Sequence, residues 1–386
     1  MTLSTRRRVV ILGATGSIGR QALEVVAAHP DRLEVVGLSA GSNVAALRDL
    51  AQTFPGAALA VADEAEASLL AAAVGRSVGH GLAGMVAVAG APDVDVVLVG
   101  VSGALGLAPT LAAIRAGRKV AFANKETLVA AGDVVMGALA RSPGAELWPV
   151  DSEHSALWQC LRGEPLEAVR KVVLTASGGA LRDRPVDQLA TATVDQVLAH
   201  PTWPAMGRKI TVDSANLMNK ALEVIEAQIL FGLPVDRVEV RIHPQSAIHG
   251  LVEFRDGSVK AQVGPPDMRM PIQVALLHPD RPESPWPGGS WTSWEFRAVD
   301  PARYPALALG YEAGRAGRGL PAVLNAANEV AAARFLAGDI PFGAIVPMVR
   351  AVMARHQPCD LHTEDDVWAL DRWARAETAA MTSAIR

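Results

Sequence analysis

The sequence predicts an α/β chain in three parts: an N-terminal domain on a parallel sheet, a central α+β domain and a C-terminal helical bundle. Three observations carry that reading. Up to about residue 150, short apolar runs alternate with helical stretches, the pattern of a parallel sheet with crossover helices. Strand-like runs separated by turn residues dominate the middle of the chain. Beyond Pro305 the apolar period becomes helical, interrupted at Gly317 and Gly319, at Gly338 and Asp339, and at Pro358 and Asp360. The expected boundaries are 1–150 for the first domain, 151–280 for the second with a loop at 200–210, 281–304 for a linker dense in Pro, Trp and Gly, and 305–386 for the bundle.

Bulk properties narrow the class. The chain has 386 residues, half of them hydrophobic and a fifth charged, which suffices for real cores. A net charge of −4 shows no basic excess, so nucleic acid is not expected as a partner. Cys160 and Cys359 are the only cysteines and lie far apart, so a disulfide framework is excluded and a reducing cytoplasm is expected. Arg6–Arg8 followed by Val9–Leu12 imitates an export signal, but the apolar run ends at once in glycines. The uncharged stretch 96–114 is broken by Gly100, Ser102, Gly103, Gly106 and Pro109, and no membrane partner is expected.

The first strand, Val9–Gly13, runs into Gly13-Ala14-Thr15-Gly16-Ser17-Ile18-Gly19-Arg20, followed by a helix to about Ala28 and a second strand at Leu33–Ser39. Glycines at 13, 16 and 19 permit a tight turn and close approach of a pyrophosphate to the helix N-terminus. Together these features predict a Rossmann-like dinucleotide domain. No Asp or Glu closes the second strand; Ser39-Ala40-Gly41-Ser42-Asn43 stands there, and nothing in it repels a 2′-phosphate. NADP is therefore preferred. Further strands are expected at 59–62, 94–100 and 119–122, with a helix at 108–116. Asn124-Lys125-Glu126 follows the last of these at its carboxyl end, where open α/β sheets place ligands. The same three residues also suit the cap and first turn of a helix.

A strand at 147–150 leads into Asp151-Ser152-Glu153-His154. In an extended backbone the two acids project to one side and repel unless a cation lies between them. Oxygen donors of this kind call for a hard ion, Mg²⁺ or Mn²⁺. Two solvated acids at a turn fit the same residues. After a strand at 171–175, Ser177-Gly178-Gly179 offers a backbone nest sized for a phosphate, or an ordinary turn.

The stretch His200–Ala227 has two halves. The first sets His200, Trp203, Met206 and Lys209 among Pro201, Pro204 and Gly207, and reads as a lid. The second reads as a helix capped by Asp213 or Ser214. Leu217, Met218, Ala221, Leu222, Val224 and Ile225 lie on one side, with Asn219, Lys220, Glu223 and Glu226 on the other. An ordinary surface helix with a Lys220–Glu223 pair is the bland alternative. Glu239–Ile242 and 247–264 then read as antiparallel strands with a hairpin turn at Asp256-Gly257. Helices are expected at about 305–316, 321–336, 342–356 and 364–384, the last capped by Thr363 and Asp366.

These pieces describe a metal-assisted, NADP-linked enzyme acting on a small phosphorylated, oxygenated compound. Glu223 could join Asp151 and Glu153 on the ion. Moreover, GATGSIG, ANKETLV, PVDSEHSA, TASGGA, HPTWPAMGRKITVDSANLMNKALEVIEA, IHPQSAIHG and VLNAANEVA occur in an order that closely resembles the 1-deoxy-D-xylulose 5-phosphate reductoisomerase family over nearly the whole chain. The resemblance implies conversion of 1-deoxy-D-xylulose 5-phosphate to 2-C-methyl-D-erythritol 4-phosphate with NADPH and Mg²⁺, Mn²⁺ or Co²⁺, by a homodimer. This is the committed step of the non-mevalonate isoprenoid route.

By that resemblance Asp151, Glu153 and Glu223 are the metal ligands, and Ser177, Ser214, Asn219 and Lys220 bind the phosphate. Lys125 and Ser152 contact the oxygenated carbons, with His200 close by and Trp203 and Met206 on the closing loop. Cofactor contacts are expected from Thr15, Gly16, Ser17, Ile18, Gly41, Ser42, Asn43, Asn124, Glu126 and Gly207. One departure stands out: the family often has lysine where this chain has Ser42. The residues leave two other readings open. One is an NADP-dependent semialdehyde dehydrogenase, which needs an activated cysteine, whereas Cys160 lies in an apolar helical run. The other is a nucleotide sensor without catalysis.

Overall fold

The computed structural model describes residues 6–204 and 206–382 and forms two compact units. The first comprises the chain to Thr127, Val135–Ser155 and Asp267–Pro287; the second comprises Leu128–Val134, Ala156–Pro266 and the chain from Gly288.

The first unit is built on a seven-stranded parallel sheet in the order Gly79–His80, Ala58–Val61, Leu33–Ala40, Arg7–Leu12, Val96–Val99, Lys119–Phe122, Glu146–Pro149. The middle strands are continuous apolar runs because helices cover both faces, and Val9–Leu12 and Val96–Val99 are buried. Strand order reverses between Arg7–Leu12 and Val96–Val99, which opens a crevice at their carboxyl ends. Three helices in this unit, Val44–Thr53, Glu64–Val74 and Gly81–Ala89, were not among the expected elements. Alanines in Glu64–Val74 and alanines with glycines in Gly81–Ala89 blur the apolar stripe there, although Asp63 caps the former through the Ala65 and Glu66 amides.

The helix Arg269–Leu277 also belongs to the first unit, although residues 267–280 had been expected in the central domain. Arg7 donates to the Leu276 and His278 carbonyls at 2.6 and 2.9 Å, covering the end of that helix. The same guanidinium stands 5.5 Å over the Trp148 ring.

In the second unit a five-stranded sheet runs in the order Val259–Val263, Ile248–Phe254, Val169–Ala176, Val238–Ile242, Arg297–Ala298. Ile248–Phe254 and Val259–Val263 form the expected antiparallel hairpin. Val238–Ile242 departs from expectation: it pairs parallel to Val169–Ala176 and has Arg297–Ala298 on its other side. Local sequence proposes a partner close in the chain, whereas the helical crossover between residues 176 and 238 makes the parallel pairing possible.

The C-terminal helices are Ala306–Ala316, Leu320–Ala337, Ile345–Met353 and Glu364–Ala380. The Thr363–Asp366 capping box is present. The last expected helix, 364–384, ends at Ala380, and residues 383 and 384 lie outside the described residues. This group packs directly on the helix Met218–Phe231. A Cβ on Gly310 would come within 2.5 Å of Ala221 Cα, so the two helix backbones approach as closely as glycine allows.

Candidate active site

In the first unit the glycine turn has the geometry an anion needs. Gly13 has φ 79°, and a Cβ there would meet the Gly100 carbonyl oxygen at 2.7 Å. A Cβ on Gly19 would meet the Gly13 oxygen at 2.3 Å, so the helix Ser17–Ala28 starts hard against the turn. Gly16 at its N-cap offers no side chain, leaving the first-turn amides without a side-chain cap. Thr15, Ser17 and Ile18 share this turn.

Gly41, Ser42 and Asn43 follow the neighbouring strand and are exposed. The Asn43 side chain accepts from the Ala46 amide at 3.1 Å and caps the next helix. Asn124 is committed differently. Its amide donates to the Val101 and Gly103 carbonyls at 2.7 and 2.9 Å, while its oxygen accepts from the Thr127 amide at 2.9 Å. It therefore braces the crevice loop, and the helix-capping reading of 124–126 is met at this residue. Glu126 sits in the first turn of the helix Lys125–Ala140.

The sequence reading of Asp151 and Glu153 as same-side residues of an extended segment is corrected. A helix begins at Ser152, and the Asp151 carbonyl accepts from the Ser155 amide at 2.8 Å. The two acids are neighbours at a helix N-terminus instead, where the unpaired amides and the dipole favour negative charge. Their carboxylate oxygens still lie within 4.8 Å of one another. Lys125, buried, pairs with Asp151, and Ser152 Oγ donates to Glu153 Oε2 at 2.5 Å. His154 Nδ1 lies 3.8 Å from Asp151 Oδ2, a neighbour for which sequence alone suggests no role.

In the second unit the expected single helix is two. Arg208–Asn216 ends at Leu217, whose φ is 60°, and Met218–Phe231 starts beyond it. The expected cap at Asp213 or Ser214 is thus wrong, because both lie inside the first helix. The lid is shorter for the same reason, since Gly207 is the N-cap of Arg208–Asn216. Asn216 Oδ1 accepts from the Met218 amide at 2.9 Å, starting the second helix after the break.

Both sides of Met218–Phe231 are buried. Lys220 is 3% exposed, while Glu223 and Glu226 are 0% exposed, which rules out the bland surface-helix reading. Asn219 Nδ2 and Lys220 Nζ each donate to a Glu223 oxygen at 2.5 Å. A buried carboxylate of this kind is tolerated only with charge and hydrogen bonds arranged around it. Asp213, equally buried, is held by Lys209 Nζ and Asn328 Nδ2, each at 2.9 Å. Asn328 comes from the C-terminal helices and anchors the segment that carries Ser214.

The loop and the phosphate-sized nest meet at His200. Its Nδ1 accepts from the Thr202 and Trp203 amides at 3.1 and 2.9 Å. Its proton therefore sits on Nε2, which lies 3.0 Å from Ser177 Oγ and 3.2 Å from Ser214 Oγ. Burial, with the nearby Arg182 charge, pulls the His200 pKa from 6.5 to about 4 and keeps the ring neutral. Ser177 Oγ also accepts from the Gly179 amide at 3.1 Å. With its lone pairs engaged, the Ser177 hydroxyl is left to donate, which is what an anionic ligand requires.

Trp203, half-buried, packs against His249 with ring centroids 6.4 Å apart. His249 lies within 3.2 Å of the Gly264 and Pro265 carbonyls, and burial lowers its pKa to about 4. Arg182 and His249 were not singled out from the sequence; the latter lies in IHPQSAIHG, one of the blocks that carry the family resemblance. Met206 lies on the loop with its amide directed at the Trp203 carbonyl, 3.4 Å away.

Cys160 is buried, and desolvation raises its thiol pKa, the opposite of an activated nucleophile. The semialdehyde-dehydrogenase alternative loses its essential group. Among the described residues no helix is long and apolar enough to cross a membrane.

Comparison with known proteins gives one answer along the chain. Residues 9–132 match the family model described as 1-deoxy-D-xylulose 5-phosphate reductoisomerase. Residues 147–231 and 263–377 match two models of that enzyme's C-terminal domain. Reductoisomerases from Pelotomaculum thermopropionicum and Geobacillus kaustophilus are 50% and 49% identical, over 96% and 97% of this chain and 97% and 99% of theirs. The Zymomonas mobilis reductoisomerase in complex with NADPH superposes with a TM-score of 0.91 at 40% identity, covering 99% of this chain and 100% of that one. A DOX-P reductoisomerase in complex with NADPH, fosmidomycin and magnesium also gives 0.91, at 36% identity, covering 97% and 98%. The chain belongs to the 1-deoxy-D-xylulose 5-phosphate reductoisomerase family.

Proposed function

We propose that this chain converts 1-deoxy-D-xylulose 5-phosphate to 2-C-methyl-D-erythritol 4-phosphate, using NADPH and a divalent cation. The observation that carries the reading is the His200–Ser177–Ser214 cluster, which fixes two hydroxyl groups on one neutral ring in a family whose members are named for a sugar phosphate. Asn219 and Lys220 complete that half-site. Both donate to Glu223, and a bound phosphate would draw on the same donors.

Asp151, Glu153 and Glu223 are proposed to hold the cation. The fit is chemical: all three offer only carboxylate oxygen, and Asp151 and Glu153 already bring theirs within one coordination sphere's width. When bound, the ion supplies Lewis acidity toward the substrate carbonyl. NADPH supplies the hydride, and the residue-13-to-19 turn with Ser42 and Asn43 is proposed to seat it. Lys125 and Ser152 stand beside the acids, placed to orient the substrate's hydroxyls. Trp203 and Met206 close over it and exclude water, with phosphate binding energy driving closure.

The enzyme is further proposed to act as a cytoplasmic homodimer, to be checked by its mass in solution. The deciding assay follows NADPH absorbance with the pentulose phosphate and Mg²⁺ present, then with each left out. Oxidation is expected only with both. Oxidation without the sugar phosphate, or none with the full mixture, would overturn the proposal.

A further inference from the structure

We propose that Tyr304 is a positioning residue that sets the polarity of the phosphate half-site from behind, through the peptide joining Gly178 to Gly179. This rests on the reading of Ser177 as a phosphate ligand. Gly178 and Gly179 have φ of 82° and 69°, so the nest is made of the two residues least able to hold a conformation by themselves. Something outside the nest must fix its peptide planes.

Two groups do so, the buried Tyr304 and the half-buried Arg182. Tyr304 Oη donates to the Gly178 carbonyl at 2.9 Å. Arg182 Nη1 donates to the Ser177 carbonyl at 3.1 Å and to that of Pro244 at 3.4 Å. In a trans peptide the C=O and N–H point in opposite directions. Drawing the Gly178 carbonyl toward Tyr304 therefore aims the Gly179 N–H the other way, onto Ser177 Oγ at 3.1 Å. That bond fills a lone pair of the hydroxyl and leaves its proton for the ligand.

Tyr304 is seated tightly for this task. A Cβ on Gly178 would lie 3.1 Å from its Oη, and one on Gly179 would strike the Ser214 carbonyl oxygen at 2.5 Å. Burial raises the phenol pKa to about 12, so the hydroxyl remains a donor throughout the working range. Tyr304 stands two residues before the helix Ala306–Ala316, so the C-terminal helical region reaches the phosphate without touching it.

The test is Tyr304→Phe, alone and combined with Ser177→Ala. Removing one hydrogen bond while keeping the ring is expected to raise KM for the sugar phosphate about 3- to 10-fold. The kcat and the KM for NADPH should stay within about twofold. In the Ser177→Ala background Tyr304→Phe should add less than about a twofold change, because its route to the ligand is gone. Arg182→Gln is a second variant expected to raise the same KM. Equal Tyr304→Phe effects in both backgrounds, or an unchanged KM in both Tyr304→Phe and Arg182→Gln, would overturn the proposal. A Ser177→Ala enzyme with normal KM would instead remove the phosphate reading beneath it.

Discussion

His200 Nε2 lies 3.0 Å from Ser177 Oγ, while its Nδ1 accepts two amides from the loop that begins beside it. One neutral ring thus reports loop position to the phosphate half-site. Replacing it with Gln keeps a polar group but loses the two-sided geometry. His200→Gln is expected to raise KM for the sugar phosphate about tenfold, the scale of one or two hydrogen bonds. Steady-state kinetics with NADPH saturating check this; an unchanged KM would remove the relay.

Glu223 is the fully buried acid on which the metal assignment turns. Glu223→Gln retains shape and most hydrogen bonding but removes the charge, leaving Lys220 buried beside a neutral amide. Its kcat is expected to fall by about three orders of magnitude, the scale on which losing an electrostatic stabiliser acts. Circular dichroism should show the fold retained. Near-normal turnover at saturating Mg²⁺ refutes the ligand role.

Trp203 packs on His249, on the sugar-phosphate side of the assignments. Trp203→Ala should raise KM for the sugar phosphate and lower kcat together, by about 10-fold each. The Kd for NADPH, measured by fluorescence, should barely move. A selective loss of NADPH affinity counts against the lid.

Acid sensitivity follows from two histidines. His200, facing Arg182, and His249, facing Lys220 and His243, both have folded pKa values near 4, against 6.5 when unperturbed. Below 6.5 the unfolded chain binds protons that the folded chain refuses, so stability is present above that pH and is lost as pH falls toward 4. Denaturant midpoints between pH 7 and 5 should decline, and His249→Gln should flatten that slope. A parallel slope in the variant argues against the assignment.

Ser42 is exposed, and Asn43 beside it already caps a helix. Neither supplies a cation to a 2′-phosphate. Ser42→Lys is expected to lower KM for NADPH about 3- to 10-fold through one charge-assisted bond, leaving NADH unchanged. Equal improvement with both cofactors would place the lysine elsewhere.

The sequence made the parallel-sheet unit, the hairpin at Asp256 and the C-terminal helices legible, because each rests on a strong local period or turn residue. It misjudged features decided by tertiary context. Leu217 in a left-handed conformation is invisible to periodicity, since an apolar residue at that position reads as helix interior. The partner of Val238–Ile242 depends on a long crossover. Lys220, Glu223 and Glu226 share a polar helix side that sequence alone reads equally well as site or as solvated surface, and only the structure shows all three buried. Arg182 and Tyr304 act through backbone carbonyls, an interaction without a sequence pattern.

The joint at Leu217 also acts as an angular index. Each helical residue advances about 100° around its axis, so the left-handed residue sets the phase of Met218–Phe231 relative to Arg208–Asn216. Adding or deleting one residue there would rotate Lys220 and Glu223 together by a quarter-turn or more while leaving Ser214 in place. Length at this point in the chain is therefore held as tightly as chemistry.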